Sequence, residues 1–171
     1  VKLALLPKET RGDRVEAELL IQFGDAQSLR GQRTVAMAVA SLLDRGTPTL
    51  SRQIIQDRFD KLQANVYFSG SGTNLSASMY TTGKNLPELT ALVLDVVRNA
   101  SFPQAELDEY QRQSITSIQS AMTEPTALAT RALARHGNPW PVEDIRYTPT
   151  FAEELGYIKA LNRNALVKFH K

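Results

Sequence analysis

The chain has 171 residues, 42% of them hydrophobic, which is enough for one ordinary domain with a real core and too few for two independent ones. Its 20 basic and 18 acidic side chains leave a net charge of +2, which by itself marks no nucleic-acid or membrane-surface partner. There is no cysteine, which excludes disulfides and a thiolate nucleophile, and no apolar run approaches the roughly 20 residues of a spanning helix, so no membrane insertion is expected.

In chain order, the apolar run at residues 3–6 reads as a short strand, followed by a polar turn at 8–13. Val15, Ala17, Leu19, Ile21 and Phe23 then alternate with Glu16, Glu18 and Gln22, the pattern of a half-buried strand, and the two runs are predicted to pair as an antiparallel hairpin. Residues 29–44 carry Val35, Ala36, Val39, Leu42 and Leu43 at helical spacing and almost no charge, which predicts a buried helix. After Pro48, Ser51 is placed to cap a second helix with Ile54, Ile55, Phe59 and Leu62 inward. Residues 64–82 alternate again, with Val66 and Phe68, then Leu75, Ala77 and Met79, around Ser69-Gly70-Ser71-Gly72-Thr73-Asn74; this is the clearest hairpin in the chain.

Helices dominate thereafter. Asn85 with Glu88 forms a capping pattern ahead of Leu89, Leu92, Val93, Val96 and Val97. Pro103 suits the first turn of a long helix to about Ala121, with Leu107, Ile115, Ile118 and Met122 inward. Pro125 opens an alanine-rich helix that Gly137 ends, and a loop at 138–149 holds three prolines and Trp140, which reads as a plug pinning the loop to the helices or as a residue at a domain interface. Thr150 with Glu153, and then Asn162, cap two last helices. The order predicts the α+β class, an antiparallel sheet of about four strands packed with helices, with residues 1–171 as a single domain.

Few residues invite chemistry. His136 and His170 have no carboxylates at metal-ligand spacing and suit helix ends. Gly70 and Gly72 lack the lysine and helix start of a phosphate loop, the serines lack a nucleophile elbow, and Glu16 with Glu18 reads as a solvated strand face. Arg131, Arg135, Arg146 and Lys159, with Trp140 and Tyr147 nearby, outline a basic surface whose spacing fits no nucleic-acid module.

A set of landmarks in fixed order adds a resemblance: Leu5-Leu6-Pro7-Lys8-Glu9, Phe23-Gly24-Asp25, Arg45-Gly46-Thr47, Leu62-Gln63-Ala64-Asn65, Ser101-Phe102-Pro103, and the stretch from Asn138-Pro139-Trp140 through Arg146-Tyr147 to Glu153-Glu154. In this order they resemble the pitrilysin/insulinase family of zinc metallopeptidases, the inverzincins, whose active domain carries H-x-x-E-H on the helix before the Arg-Gly-Thr turn. There the two histidines, four apart on one helix face, meet one metal, and the glutamate activates its water. Counted back from that turn, the histidine positions fall on Met37 and Ser41, the glutamate position on Ala40, and the third ligand near Ile118, none of which does that chemistry. Met37 and Ala40 read as core packing and Ser41 as a small polar position, while Asp44 departs from the aromatic residue usual in the family.

The resemblance therefore implies a catalytically silent domain, with no catalytic or metal-binding residue of its own, at the start of the C-terminal half of a large bacterial member and truncated before its last strands. It implies zinc in the catalytic half of the same peptidase, unfolded peptides as substrates, and a periplasmic setting. Asn65 and Val66, where an extended peptide would add to the hairpin edge, are the candidate substrate contacts. The alternative is a structural or assembly subunit of the same fold with no proteolytic role.

Overall fold

The computed structural model describes residues 2–71 and 73–171; Gly72, at the tip of the predicted hairpin, lies outside them. Three strands, β1 (Arg14–Gln22), β2 (Asn65–Ser71) and β3 (Asn74–Thr82), form one antiparallel sheet in the order β1-β3-β2. The register sets Ala17 opposite Met79, and Val66 opposite the other side of Met79, so the apolar residues of all three strands share one face. The hairpin forms where the alternation placed it. The strand at residues 3–6 does not: Leu3, Leu5 and Leu6 are 79%, 77% and 88% exposed, and the sheet has three strands among the described residues instead of about four. An unbroken apolar run is stable as a strand only when both its faces are covered, and nothing here covers either face.

Seven helices follow the same logic: α1 (Arg33–Leu42), α2 (Arg52–Lys61), α3 (Leu86–Asn99), α4 (Gln104–Ala121), α5 (Pro125–His136), α6 (Phe151–Ala160) and α7 (Arg163–His170). α1 begins four residues later than periodicity alone predicts, because Asp25 Oδ1 accepts from the backbone N–H of Gln27 (3.0 Å) and Ser28 (2.8 Å) and winds the preceding segment into a turn. Gly31, at φ +70°, then redirects the chain. Ser51 caps α2 by accepting from Ile54 N–H at 3.3 Å, Asn162 caps α7 from Ala165 N–H at 3.0 Å, and Thr150 with Glu153 closes a complete capping box on α6. Asn85 departs from expectation. A 3-10 turn at Gly83–Asn85 leads into α3, and the Asn85 side chain instead donates to Leu62 O at 2.8 Å, where Thr81 Oγ1 also donates at 2.8 Å. The orphan carbonyl at the end of α2 is thus satisfied by the end of the hairpin.

The core lies between the inner sheet face and α1 to α4, centred on Leu42, Leu43, Ile55, Leu89, Val93, Val96, Phe102 and Leu107, with Leu166 of α7 closing it. Ile55, Phe59 and Leu62 line the inner stripe of α2; Ile54, expected with them, lies one residue off that stripe and is exposed. Met122, expected inward, sits past the last turn of α4 and is exposed too.

Two of the sequence landmarks meet in space. Ser101 donates to Gly46 O through its backbone N–H (2.9 Å) and its hydroxyl (3.0 Å), and Arg163 donates to the carbonyls of Ser101 (2.9 Å) and Phe102 (3.0 Å). Gly46 has φ +148°, and a Cβ there would stand 3.1 Å from Pro103 Cγ, so the turn after α1 requires glycine on both counts. Phe102 is itself held at φ +47° while wholly buried, with the His170 ring edge-on at 5.4 Å. A bulky residue adopts that backbone only where its surroundings compel it. Here the clasp from Gly46, Arg163 and α7 does so.

Candidate functional site

Two of the positions that the resemblance sets for metal ligation share one cleft. Met37 on α1 and Ile118 on α4 line one cleft of about 360 Å³, with Tyr110 and Ser114 of α4 and Glu154 of α6 completing its wall. Met37 is 41% exposed, so it is not core packing as its type led one to expect; it borders the cleft. Ser41 is exposed one turn on and donates back to Met37 O at 3.0 Å.

Ala40 points the other way, into the core. A Cβ built on Gly70 of β2 would lie 2.7 Å from Ala40 Cβ, so helix and strand touch at two residues with almost no side chain. Any side chain on Gly70 would therefore collide with Ala40, while Ala40 itself also borders an apolar cavity of about 580 Å³.

What the cleft offers chemically is a thioether, hydroxyls, alkyl chains, one phenol, the Glu154 carboxylate, the Arg33 guanidinium and the Gln113 amide. Burial pushes the Tyr110 phenol up, hydrogen bonding with Ser114 and Ser41 draws it partly back, and Glu154 raises it again. With one carboxylate and neither imidazole nor thiolate, the lining does not make up a zinc ligand set, and no group of three such side chains occurs among the described residues.

Asn65 and Val66 lie elsewhere. They open β2, an edge strand, with Asn65 exposed on the outer sheet face and Val66 half-buried against the core. Beyond Asn65 on that outer face, Tyr67 and Tyr80 meet edge to face at 6.2 Å.

Three of the four residues of the basic surface, the arginines, are engaged within the chain, while Lys159 is exposed. Arg131 binds Glu154 (2.7 Å) and Pro149 O (2.7 Å), and its guanidinium lies over the Phe151 ring at 4.1 Å. Arg135 donates to Thr148 O (2.6 Å) and to the Tyr147 hydroxyl (3.1 Å), with Glu153 at 3.6 Å. Arg146 grips Asp144 through two nitrogens, at 2.8 and 2.7 Å, which holds that carboxyl down to about 2. The same guanidinium lies 3.3 Å over the Trp140 ring. Trp140 is therefore no plug: it is 38% exposed, and arginines of α5 pin the loop. The sequence carries a signal for this that residue type alone hides, because Arg131 and Arg135 are four apart on one helix face and Glu153-Glu154 follow the loop. His136 ends α5, and His170 ends α7 with Nε2 2.6 Å from Val97 O; the two share no site.

No protein-family profile matches the chain, and no curated protein does. Solved structures do. A peptidase M16 inactive domain from Pseudomonas fluorescens is similar at 19% identity and TM-score 0.73, over 92% of this chain and 38% of that one. A protease from Helicobacter pylori is similar at 14% identity and TM-score 0.74, over 94% of this chain and 38% of its own. A mutant of the ferredoxin protease FusC, solved in complex with Arabidopsis ferredoxin, is similar at 14% identity and TM-score 0.63, over 93% of this chain and 17% of its own. The chain thus spans well under half the length of each, and at these identities the likeness is one of fold. By landmarks and by architecture, the chain has the α+β fold of the inactive peptidase domains of the M16, pitrilysin/insulinase type.

Proposed function

We propose that this chain is a non-catalytic domain of a larger pitrilysin/insulinase-type zinc peptidase, where it forms part of the wall that encloses and holds unfolded peptide while a separate domain bearing zinc cleaves it. One observation carries the reading. Met37 and Ile118, two of the positions that the resemblance sets for a ligand, line one cleft between α1 and α4, and neither side chain is of a type that holds zinc, which supports a silent domain. Ala40, at the position the resemblance sets for the water-activating carboxylate, is buried against Gly70 and carries no acid group. Among the described residues β2, which carries Asn65 and Val66, is an edge strand, and its backbone groups support the holding role.

Two measurements test it together. Elemental analysis of untagged protein is expected to find no stoichiometric zinc, and the isolated chain is expected to cleave an unfolded peptide no faster than a heat-killed control. Equimolar zinc with metal-dependent cleavage would sink the reading. On the holding role, an unfolded peptide is expected to bind the isolated chain in a titration, and absence of binding removes that half of the proposal.

A further inference from the structure

The cleft between α1, α4 and α6 holds one charge that the chain itself does not answer. Arg33, Arg45, Arg131 and Arg135 are the half-buried arginines among the described residues, and three of them sit in ion pairs: Arg45 with Asp44 and Glu106, Arg131 with Glu154, and Arg135 with Glu153. Arg33 sits in none among the described residues. A guanidinium drawn partly out of water without a counter-ion costs stability, and an anion that reaches it relieves that cost.

The neighbouring acids are already engaged. On one side Arg33 borders a second cleft, of about 320 Å³, whose Glu143 and Asp144 are paired with Arg30 (3.6 Å) and Arg146 (2.7 Å). On the other it lines the cleft of about 360 Å³, where Arg131 neutralises Glu154 at 2.7 Å and the guanidinium of Arg33 is left as the unanswered charge. Arg33 also opens α1, whose first turn holds no acidic residue and whose N-cap makes no side-chain bond, so the helix end adds to the same sign. The same cleft is lined by neutral donors, the Gln113 amide and the Tyr110 phenol, which burial pushes up and so keeps protonated. Ile118 and Ile158, 8% and 6% exposed, give it apolar wall, and Met37 adds an unbranched side chain that adapts to what enters. All of these residues lie on α1, α4 and α6; the sheet edges and α7 contribute none.

We propose that this cleft binds a peptide carboxylate next to an apolar side chain, with Arg33 gripping the carboxylate and Met37, Ile118 and Ile158 covering the apolar group. The inference rests on the peptide-holding reading above and deepens it, naming a site and the chemistry recognised. The carboxylate has two sources in a peptide, a glutamate side chain or the chain end. One guanidinium matches one carboxylate in charge and in its planar fork, whereas a dianion such as phosphate brings a second negative charge toward Glu154. A volume of about 360 Å³ takes a side chain or two and leaves the rest of the peptide outside.

Titration of the full chain with three unstructured peptides is the test, reading affinity together with the methyl signals of the three methionines. One peptide carries a leucine-glutamate pair and an amidated end, the second has glutamine for that glutamate and a free carboxylate after a terminal leucine, and the third has glutamine and an amidated end. At least one of the first two is expected to bind about tenfold more tightly than the third, and the one that does identifies the source of the carboxylate. Equal affinity for all three overturns the proposal. The Met37 methyl is expected to shift on binding, while that of Met79, buried against the sheet, stays. Arg33→Ala, a change that favours the helix, is expected to erase the tenfold preference and to leave the neutral peptide unaffected, and Arg33→Lys to keep part of it. A loss shared equally by all three peptides makes Arg33 a support of the cleft's shape and overturns the proposal as well. Binding that leaves the Met37 methyl unmoved overturns this inference while peptide holding stands; no binding of any peptide removes both.

Discussion

The helical layer is held together in two different ways, and the boundary runs between α4 and α5. α1 to α4 are fixed by apolar burial: Leu89, Val93, Val96, Phe102 and Leu107 are completely removed from solvent. α5 has no buried residue, and Leu128 and Leu133 on it are exposed. Its attachment to the loop at 138–149 and to α6 runs through Arg131 and Arg135, which reach backbone carbonyls and the carboxylates of Glu153 and Glu154. Apolar burial is non-directional and indifferent to salt, whereas these bonds are directional, partly solvated and sensitive to charge. The first region is thus expected to unfold only globally, and the second to open locally.

The largest effect expected is at the core. Phe102→Ala removes a wholly buried ring and is expected to cost about 3–5 kcal/mol in urea unfolding, with every probe shifting together. If α5 probes shift while core probes stay, the division drawn here is wrong. Next comes Ala40→Glu, which places a carboxylate in a buried apolar wall beside Gly70 and is expected to cost about 3 kcal/mol. A variant as stable as the parent would show that α1 has room there, reopening the water-activating position.

Arg131→Ala sharpens the contrast from the other side. It is expected to cost only about 1 kcal/mol globally, since the Glu154 pair is partly exposed, while exchange along α5 speeds up and the α3 amides are unaffected. The smallest effect is one of pH. Arg146 holds Asp144 down to about 2 from 3.8, and Thr150, Tyr147 and Arg135 hold Glu153 below 4.5. Depressed carboxylates stabilise fully above their unfolded values and lose that contribution as pH falls through the folded ones. Trp140, the single tryptophan, lies in this loop, so its fluorescence is expected to change between about pH 4 and pH 2 while the near-UV signal of the buried Phe102 side persists. Simultaneous loss of both would make the two regions one cooperative unit.

Much of the fold was legible in the residues because its causes are local. The alternation of Val66 to Met79, the caps at Ser51, Thr150 and Asn162, and the stop at Gly137 act within a few residues of the features they predict. The failures share a different cause. Residues 3–6 have strand-like composition but no partner, Asn85 has capping chemistry but spends it on Leu62, and Trp140 has a plug's size but no pocket. In each case a distant group decided. The candidate site was legible in what its residues lack and illegible in its shape: Met37 and Ile118 were singled out on the resemblance, while the close approach of Ala40 to Gly70 and the Arg131–Glu154 tie had no local signature.

By itself, then, the sequence determined the periods, the caps, the absence of metal donors at Met37, Ala40, Ser41 and near Ile118, and an order of landmarks with the look of one peptidase fold. Only the tertiary structure decided that Gly46 and Ser101 are one joint, that β3 lies between β1 and β2, and that Gly70 meets Ala40. The reason is physical. Hydrogen bonding and side-chain period act along the chain over a turn or two, but edges, cavities and clasps exist only between segments far apart in it, and packing sets them once the chain has closed on itself.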